Sequence, residues 1–121
     1  MHKSELKPEG YLYATYTGDV TTEEFLQARK ENALLLEPLK SEGKKLLEIA
    51  DLSGAQMPEM KHDEKLKSIL ADMPYDRMAI LIEPGNVEKK TIIDLIIKGS
   101  EKENSVLIFT DLNEALKWLL G

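Results

Sequence analysis

Lys45-Leu46-Leu47-Glu48-Ile49-Ala50-Asp51-Leu52-Ser53-Gly54 decides the fold of this chain. Gly43 stops whatever precedes it, and the run that follows is too apolar for a segment lying in water. Such a run between glycines reads as a central strand covered on both faces. Its end brings together an acid, a hydroxyl and a glycine, the residue types of a turn delivered to one end of a sheet.

Working back from this strand, Thr21 with Glu24 three positions on forms a capping box, and Phe25, Ala28, Leu35 and Leu39 follow as apolar positions. A helix over about Thr22 to Ser41 is predicted. Pro38 lies inside it, removes one backbone hydrogen bond and predicts a kink or restart in the last turn. Before the helix, Tyr11 to Thr17 is rich in aromatic and β-branched residues and reads as a strand closed by Gly18-Asp19. Period two sends Tyr11, Tyr13, Thr15 and Thr17 to one face and Leu12, Ala14 and Tyr16 to the other. Pro8-Glu9-Gly10 turns this strand back onto His2 to Lys7, which predicts an N-terminal hairpin.

Working forward, Ala55 to Met60 reads as a loop or single turn. From Asp63, a candidate N-cap, Leu66, Ile69, Leu70 and Met73 recur at helical spacing until Pro74. Arg77 to Glu83 reads as a buried strand, Val87 to Lys98 as a helix ended by Gly99, and Ser105 to Thr110 as the last strand. Asp111 with Glu114 opens a closing helix whose apolar face is Leu112, Ala115, Leu116 and Leu119. Strands alternating with helices after a hairpin imply an α/β class, with a mainly parallel sheet of about five strands and about four helices. Residues 1–121 are read as a single domain, since no linker or repeat interrupts the pattern.

Composition narrows the function classes. A chain of 121 residues buries about two-thirds of its unfolded surface, enough for a core without staples. Cysteine is absent, which removes disulfides, thiolate metal sites and thiol nucleophiles. Sixteen Lys and Arg against 22 Asp and Glu give a formal net charge of -6, which repels nucleic acid. Met1 to Glu5 has no signal-peptide core and no run is long enough to span a bilayer, so a cytoplasmic location is expected.

Gly18-Asp19-Val20-Thr21 before the first helix, Asp51-Leu52-Ser53-Gly54 after the central strand, and Glu114-Ala115-Leu116-Lys117-Trp118-Leu119 at the end carry a family likeness. With the order of elements, they resemble the SpoIIAA-like family of the STAS superfamily, a branch also likened to the Sec14/CRAL-TRIO lipid-binding fold. The resemblance implies a SpoIIAA-like (STAS) α/β fold and a regulatory binding role. Anti-sigma factor antagonists of that superfamily carry a phosphorylated serine just beyond the Asp-Leu-Ser-Gly position. Here Ala55 to Met60 holds no serine or threonine, so that switch is not carried over.

In a parallel sheet ligands bind beyond the carboxyl ends of the strands. Asp51, Ser53, Gly54 and Met57 after the central strand, and Glu83 and Asn86 after the next, are the candidate ligand- or partner-binding residues there. Asp19, Thr21, Thr110 and Asp111 share the rim, where a divalent cation between acids is one reading. The plainer reading makes Thr21, Asn86 and Asp111 helix caps and gives Asp51 turn hydrogen bonds. His62 reads as a solvated histidine, since no zinc-ligand spacing surrounds it. No metal and no cofactor are expected, and no phosphate loop or nucleophile elbow is present.

The helix carrying Ile92, Ile93, Leu95, Ile96 and Ile97 has an apolar arc wider than one packed face needs, which adds Ile92, Leu95 and Ile96 to the candidates. Leu26, Ala33, Leu34 and Leu36 widen the first helix in the same way. Trp118 is assigned a structural role over a helix edge. The leading expectation is a non-catalytic module that docks a protein partner or its own copy. The alternatives are a carrier of a small amphipathic or lipid-like ligand in an apolar pocket beside residues 87–98, and an enzyme working at the strand ends.

Overall fold

The computed structural model of the chain describes residues 1–57 and 65–121. Five strands form one sheet: β1 (His2–Leu6), β2 (Leu12–Asp19), β3 (Leu47–Gln56), β4 (Arg77–Leu81) and β5 (Val106–Phe109). Four helices occur among the described residues: α1 (Thr22–Ser41), α2 (Lys65–Ala71), α3 (Val87–Gly99) and α4 (Leu112–Leu120). The strands lie in sequence order, β1 antiparallel to β2 and all later neighbours parallel. The expected hairpin and mainly parallel α/β sheet are therefore present.

Side-chain alternation sorts the helices onto the two faces of the sheet. Ala14 and Tyr16 of β2, Ala50 and Leu52 of β3, Met78 and Ile80 of β4 and Val106 of β5 point to one face. There they meet Ala28 of α1, Leu66, Ile69 and Leu70 of α2, and Ile93 and Ile97 of α3. The other parity, Tyr11, Ile49, Ala79 and Leu81, meets Ala115 and Leu119 of α4. Three crossovers on one side and a last helix returning across the other give the sequential strand order. Trp118 lies beside Phe109, with ring centroids 5.7 Å apart, and beneath the Arg77 guanidinium at 5.5 Å.

Three expectations need correction. Asp51-Leu52-Ser53-Gly54 is not a turn: β3 runs on to Gln56 and stays paired with β2 as far as Asp19. The register shifts between Thr15↔Asp51 and Thr17↔Gly54, so Leu52 and Ser53 oppose the single residue Tyr16. This is a β-bulge, which absorbs the local turn tendency of Asp-x-Ser-Gly without ending the strand. Second, of the expected kink or restart at Pro38, the restart does not occur: α1 runs on as one helix to Ser41. Only one bond is lost so near the end, and Pro38 still accepts from the Glu42 N–H. Third, the buried stripe of α1 runs through Ala28, Asn32, Leu36 and Leu39, while Leu35 is exposed. A polar residue, Asn32, therefore occupies the middle of the core face. Asp63, His62 and the start of the predicted second helix lie outside the described residues.

Candidate functional site

Asp51 and Ser53 meet inside the bulge. Asp51 Oδ1 accepts from the Ser53 N–H at 3.0 Å and from the Ser53 hydroxyl at 2.6 Å, and its Oδ2 accepts from the Tyr13 hydroxyl at 2.7 Å. Both carboxylate oxygens are thereby engaged in holding the bulge and the neighbouring strand. Burial, together with the hydrogen bond to Asp51, raises the Tyr13 hydroxyl far above its ordinary range and keeps it a donor. Gly54 is exposed, and a Cβ there would make ordinary contact 3.5 Å from Thr17 Cγ2, so no close approach demands glycine. Met57 is half-buried against the larger core cluster.

Glu83 and Asn86 converge on a residue that the sequence pattern did not single out. Lys89, in the first turn of α3, is 9% exposed and its Nζ donates to Leu52 O at 2.8 Å, Ala55 O at 2.7 Å and Glu83 Oε1 at 2.8 Å. An ammonium has three protons, and all three are used. The lysine thus fastens the bulged end of β3 to the start of α3. Desolvation pushes the Glu83 carboxyl up, but the Lys89 hydrogen bond and charge and the Asn86 side chain outweigh it and hold it below its usual value. Thr21, Asn86 and Asp111 accept from the N–H of Glu24, Lys89 and Glu114, so each caps its helix. The strand-end rim is hence a set of caps and clamps, and its acids do not gather: among the described residues no three His, Asp or Glu stand close enough to hold a metal.

The chemistry lies instead on the helix-covered face, at Glu48. This carboxyl sits in the apolar run of β3 and is 2% exposed. Its Oε1 accepts from the Tyr75 hydroxyl at 2.7 Å and from Asn32 Nδ2 at 3.2 Å. Burial lifts its pKa from 4.5 to about 7, against the lowering effect of those two hydrogen bonds. Burial likewise raises the Tyr75 and Tyr16 hydroxyls, with the charge of Glu48 adding to it, so both stay protonated. The network continues outward: the Ser4 hydroxyl donates to Asn32 Oδ1, His2 Nε2 lies 2.6 Å from Ser4 Oγ, and His2 Nδ1 lies 3.0 Å from Glu31 Oε2. A line of hydrogen bonds thus joins the core acid to the surface through β1 and α1.

Beside Glu48 is a cavity of about 90 Å³ between the sheet and the helices. Its walls are Tyr16, Phe25, Ala50, Leu52, Met78 and Ile80 from below and at one side, and Leu66, Ile69, Leu70, Met73, Ile93 and Ile96 from the helices and the loop after α2. Glu48 is the sole charged side chain among these lining residues. Among the described residues no fully buried side-chain oxygen lacks a partner, yet Oε2 of Glu48 has no hydrogen bond to protein. Glu48 is thus a cavity-lining carboxyl with one oxygen that bonds no protein group among the described residues. Met73 is shared with a second, larger groove of about 200 Å³ bounded by Arg29, Leu36, Glu37 and Lys40 of α1 and by Asp72, Pro74 and Tyr75.

Of the candidates on α3, Ile96 lines the cavity and Ile92 packs against the same core cluster, whereas Leu95 is 60% exposed. Part of the wide apolar arc is thus a cavity wall. Glu48 itself escaped notice because one acid in an apolar run leaves the strand assignment intact. The available signal was its parity: it shares a face with Leu46, Ala50 and Leu52, where a charge needs partners.

No protein-family model matches this sequence, and a search of curated proteins finds no match. Among solved structures, the chain is similar to the crystal structure of an uncharacterised DUF3478-family protein with a SpoIIAA-like fold from Shewanella loihica PV-4. The likeness covers 98% of this chain and 92% of that one, with a TM-score of 0.56 and 22% sequence identity. The chain therefore has the SpoIIAA-like α/β fold that the order of its strands and helices implies.

Proposed function

We propose that residues 1–121 form one domain that is a non-catalytic binding module, and that its site is the Glu48 cavity, which takes a small molecule with an apolar body and one polar group. The observation that carries this reading is a carboxyl lining an otherwise apolar space beside α3 while one of its oxygens bonds no protein group among the described residues. Burying a carboxyl in an apolar wall is costly, and proteins that keep one there generally give it a task. The tyrosines beside it stay protonated and the described lining residues include no serine, threonine, lysine or histidine, so the constellation suits recognition rather than acid–base turnover. The volume equals about three waters at ~30 Å³ each, which is small beside the ~300 Å³ and upward usual for ligand sites. The ligand portion held there is accordingly a few heavy atoms, with the groove beyond Met73 available to a longer body.

The test is a methyl-resolved NMR titration with n-butanol. The reading expects saturable shifts confined to the methyls of Leu70, Met78, Ile80, Ile93 and Ile96. Shifts spread over the surface, or none at millimolar probe, would overturn it. Docking of a protein partner or a second copy is the second reading, favoured by Leu34, Val87 and Leu95 at 77%, 73% and 60% exposure. Single exposed apolar residues are common on any surface, which is why the cavity ranks first. A concentration-dependent mass in light scattering, abolished by Leu95→Glu, would reverse the order.

A further inference from the structure

We infer that the polar group recognised by Glu48 is a cationic amine, so that the ligand class is a small amphipathic amine whose ammonium binds Oε2 and whose hydrocarbon lies against Ile93 and Ile96. This rests on the reading of the cavity as a binding site.

Three observations point to a cation. First, the hydrogen bonds around Glu48 are all directed at it. Ser4 spends its single hydroxyl proton on Asn32 Oδ1, which fixes the Asn32 amide with Nδ2 towards Glu48 Oε1. Beyond Ser4, His2 Nε2 lies 2.6 Å from Ser4 Oγ and Nδ1 3.0 Å from Glu31 Oε2. Tyr75 adds its own proton to Oε1. The Asn32 and Tyr75 bonds are both donated to Oε1, so when the carboxylate is ionised Oε2 remains to accept from a donor.

Second, among the described residues that line the cavity none carries a positive charge to answer an anion. A ligand carboxylate would sit against Glu48 with like charge unpaired in an apolar wall, whereas an ammonium forms a charge-assisted hydrogen bond there. Third, the net charge of -6 raises the local concentration of cations and lowers that of anions. The fold has already taken Glu48 out of water, so an incoming amine meets a desolvated partner and loses only its own hydration.

The experiment compares three probes of one shape, n-butylamine, n-butanol and butyrate, by methyl NMR titration at pH 7.5 on the wild-type protein and on Glu48→Gln. The expected order is butylamine tighter than butanol by about tenfold or more, the scale of one charge-assisted hydrogen bond, with butyrate not bound. Glu48→Gln should remove that advantage. A wild-type-only measurement guards against a variant that fails to fold: the ¹³C-carboxyl titration of Glu48, followed with and without butylamine. The groups that face this carboxyl are Tyr16 from β2, Asn32 from α1 and Tyr75, with Arg29 acting on Tyr75. All are the same in both samples, so a downward move of the Glu48 midpoint with butylamine, and none with butanol, supports the inference. Butanol binding as well as or better than butylamine, or an unmoved midpoint, overturns it while leaving the cavity reading intact. Failure of every probe to enter the cavity overturns both.

Discussion

Replacing Glu48 by glutamine should change how stability depends on pH more than it changes the fold. Glutamine keeps an oxygen for Tyr75 and Asn32 but cannot ionise. In the native protein the carboxyl is raised from 4.5 to about 7, chiefly by burial. Below pH 4.5 it is protonated in both the folded and the unfolded chain, and the two states bind equal protons. Between about 4.5 and 7 the unfolded chain has released its proton while the folded one holds it, so folding is progressively disfavoured as pH rises. Above 7 both states are ionised and the full difference, about 3 kcal/mol, remains as a destabilisation. Glu48→Gln removes this slope. Urea melts of both proteins from pH 4.5 to 8.5 should show the variant gaining about 3 kcal/mol on the native protein across that range. With a slope near 1.5 kcal/mol per molar, the midpoint separation grows by about 2 M. Other titrating groups are common to both and cancel in the difference. Two stability profiles that stayed parallel within about 0.5 kcal/mol would show that Glu48 is not held in the environment described here.

Lys89→Met should cost about 3 kcal/mol in urea melts, because it leaves Leu52 O and Ala55 O without their buried donor; a loss under about 1 kcal/mol would mean the clamp is dispensable. Asn86→Ala should cost about 1 kcal/mol by removing the α3 cap, again by urea melt. Ile93→Ala, at a side chain only 3% exposed beside the cavity, should cost about 3 kcal/mol and make room for larger probes in the methyl titration. Leu95→Ala should leave stability within about 0.5 kcal/mol, since its side chain projects into water; a larger loss would place it in an interface.

The fold was legible where local signals and tertiary demands agree. Thr21 and Glu24 marked the start of α1, and the apolar run from Leu46 to Ala50 marked the strand at the sheet's centre. The alternation in Tyr11 to Tyr16 assigned faces that the packing repeats. It failed where pairing overrules composition. Asp51 to Gly54 has turn residues, but β2 offers an unbroken partner out to Asp19, so the chain bulges instead of turning. The site was less legible for a related reason. Glu48 draws its partners from Asn32 and Tyr75, 16 and 27 residues away, and no spacing rule brings an amide on a helix face and a tyrosine in a loop to one carboxyl. Lys89 looks like the polar side of an amphipathic helix until β3 is seen to end beneath it. Ile96 was found, but as surplus surface rather than as the wall of a space that Glu48 closes.

The most direct test of the binding account is a crystal structure of the protein soaked in n-butylamine. The account predicts the amine nitrogen about 2.8 Å from Glu48 Oε2, with its carbons against Ile93 and Ile96. A cavity filled by the side chain of Met73, with amine found only at surface carboxylates, would contradict it.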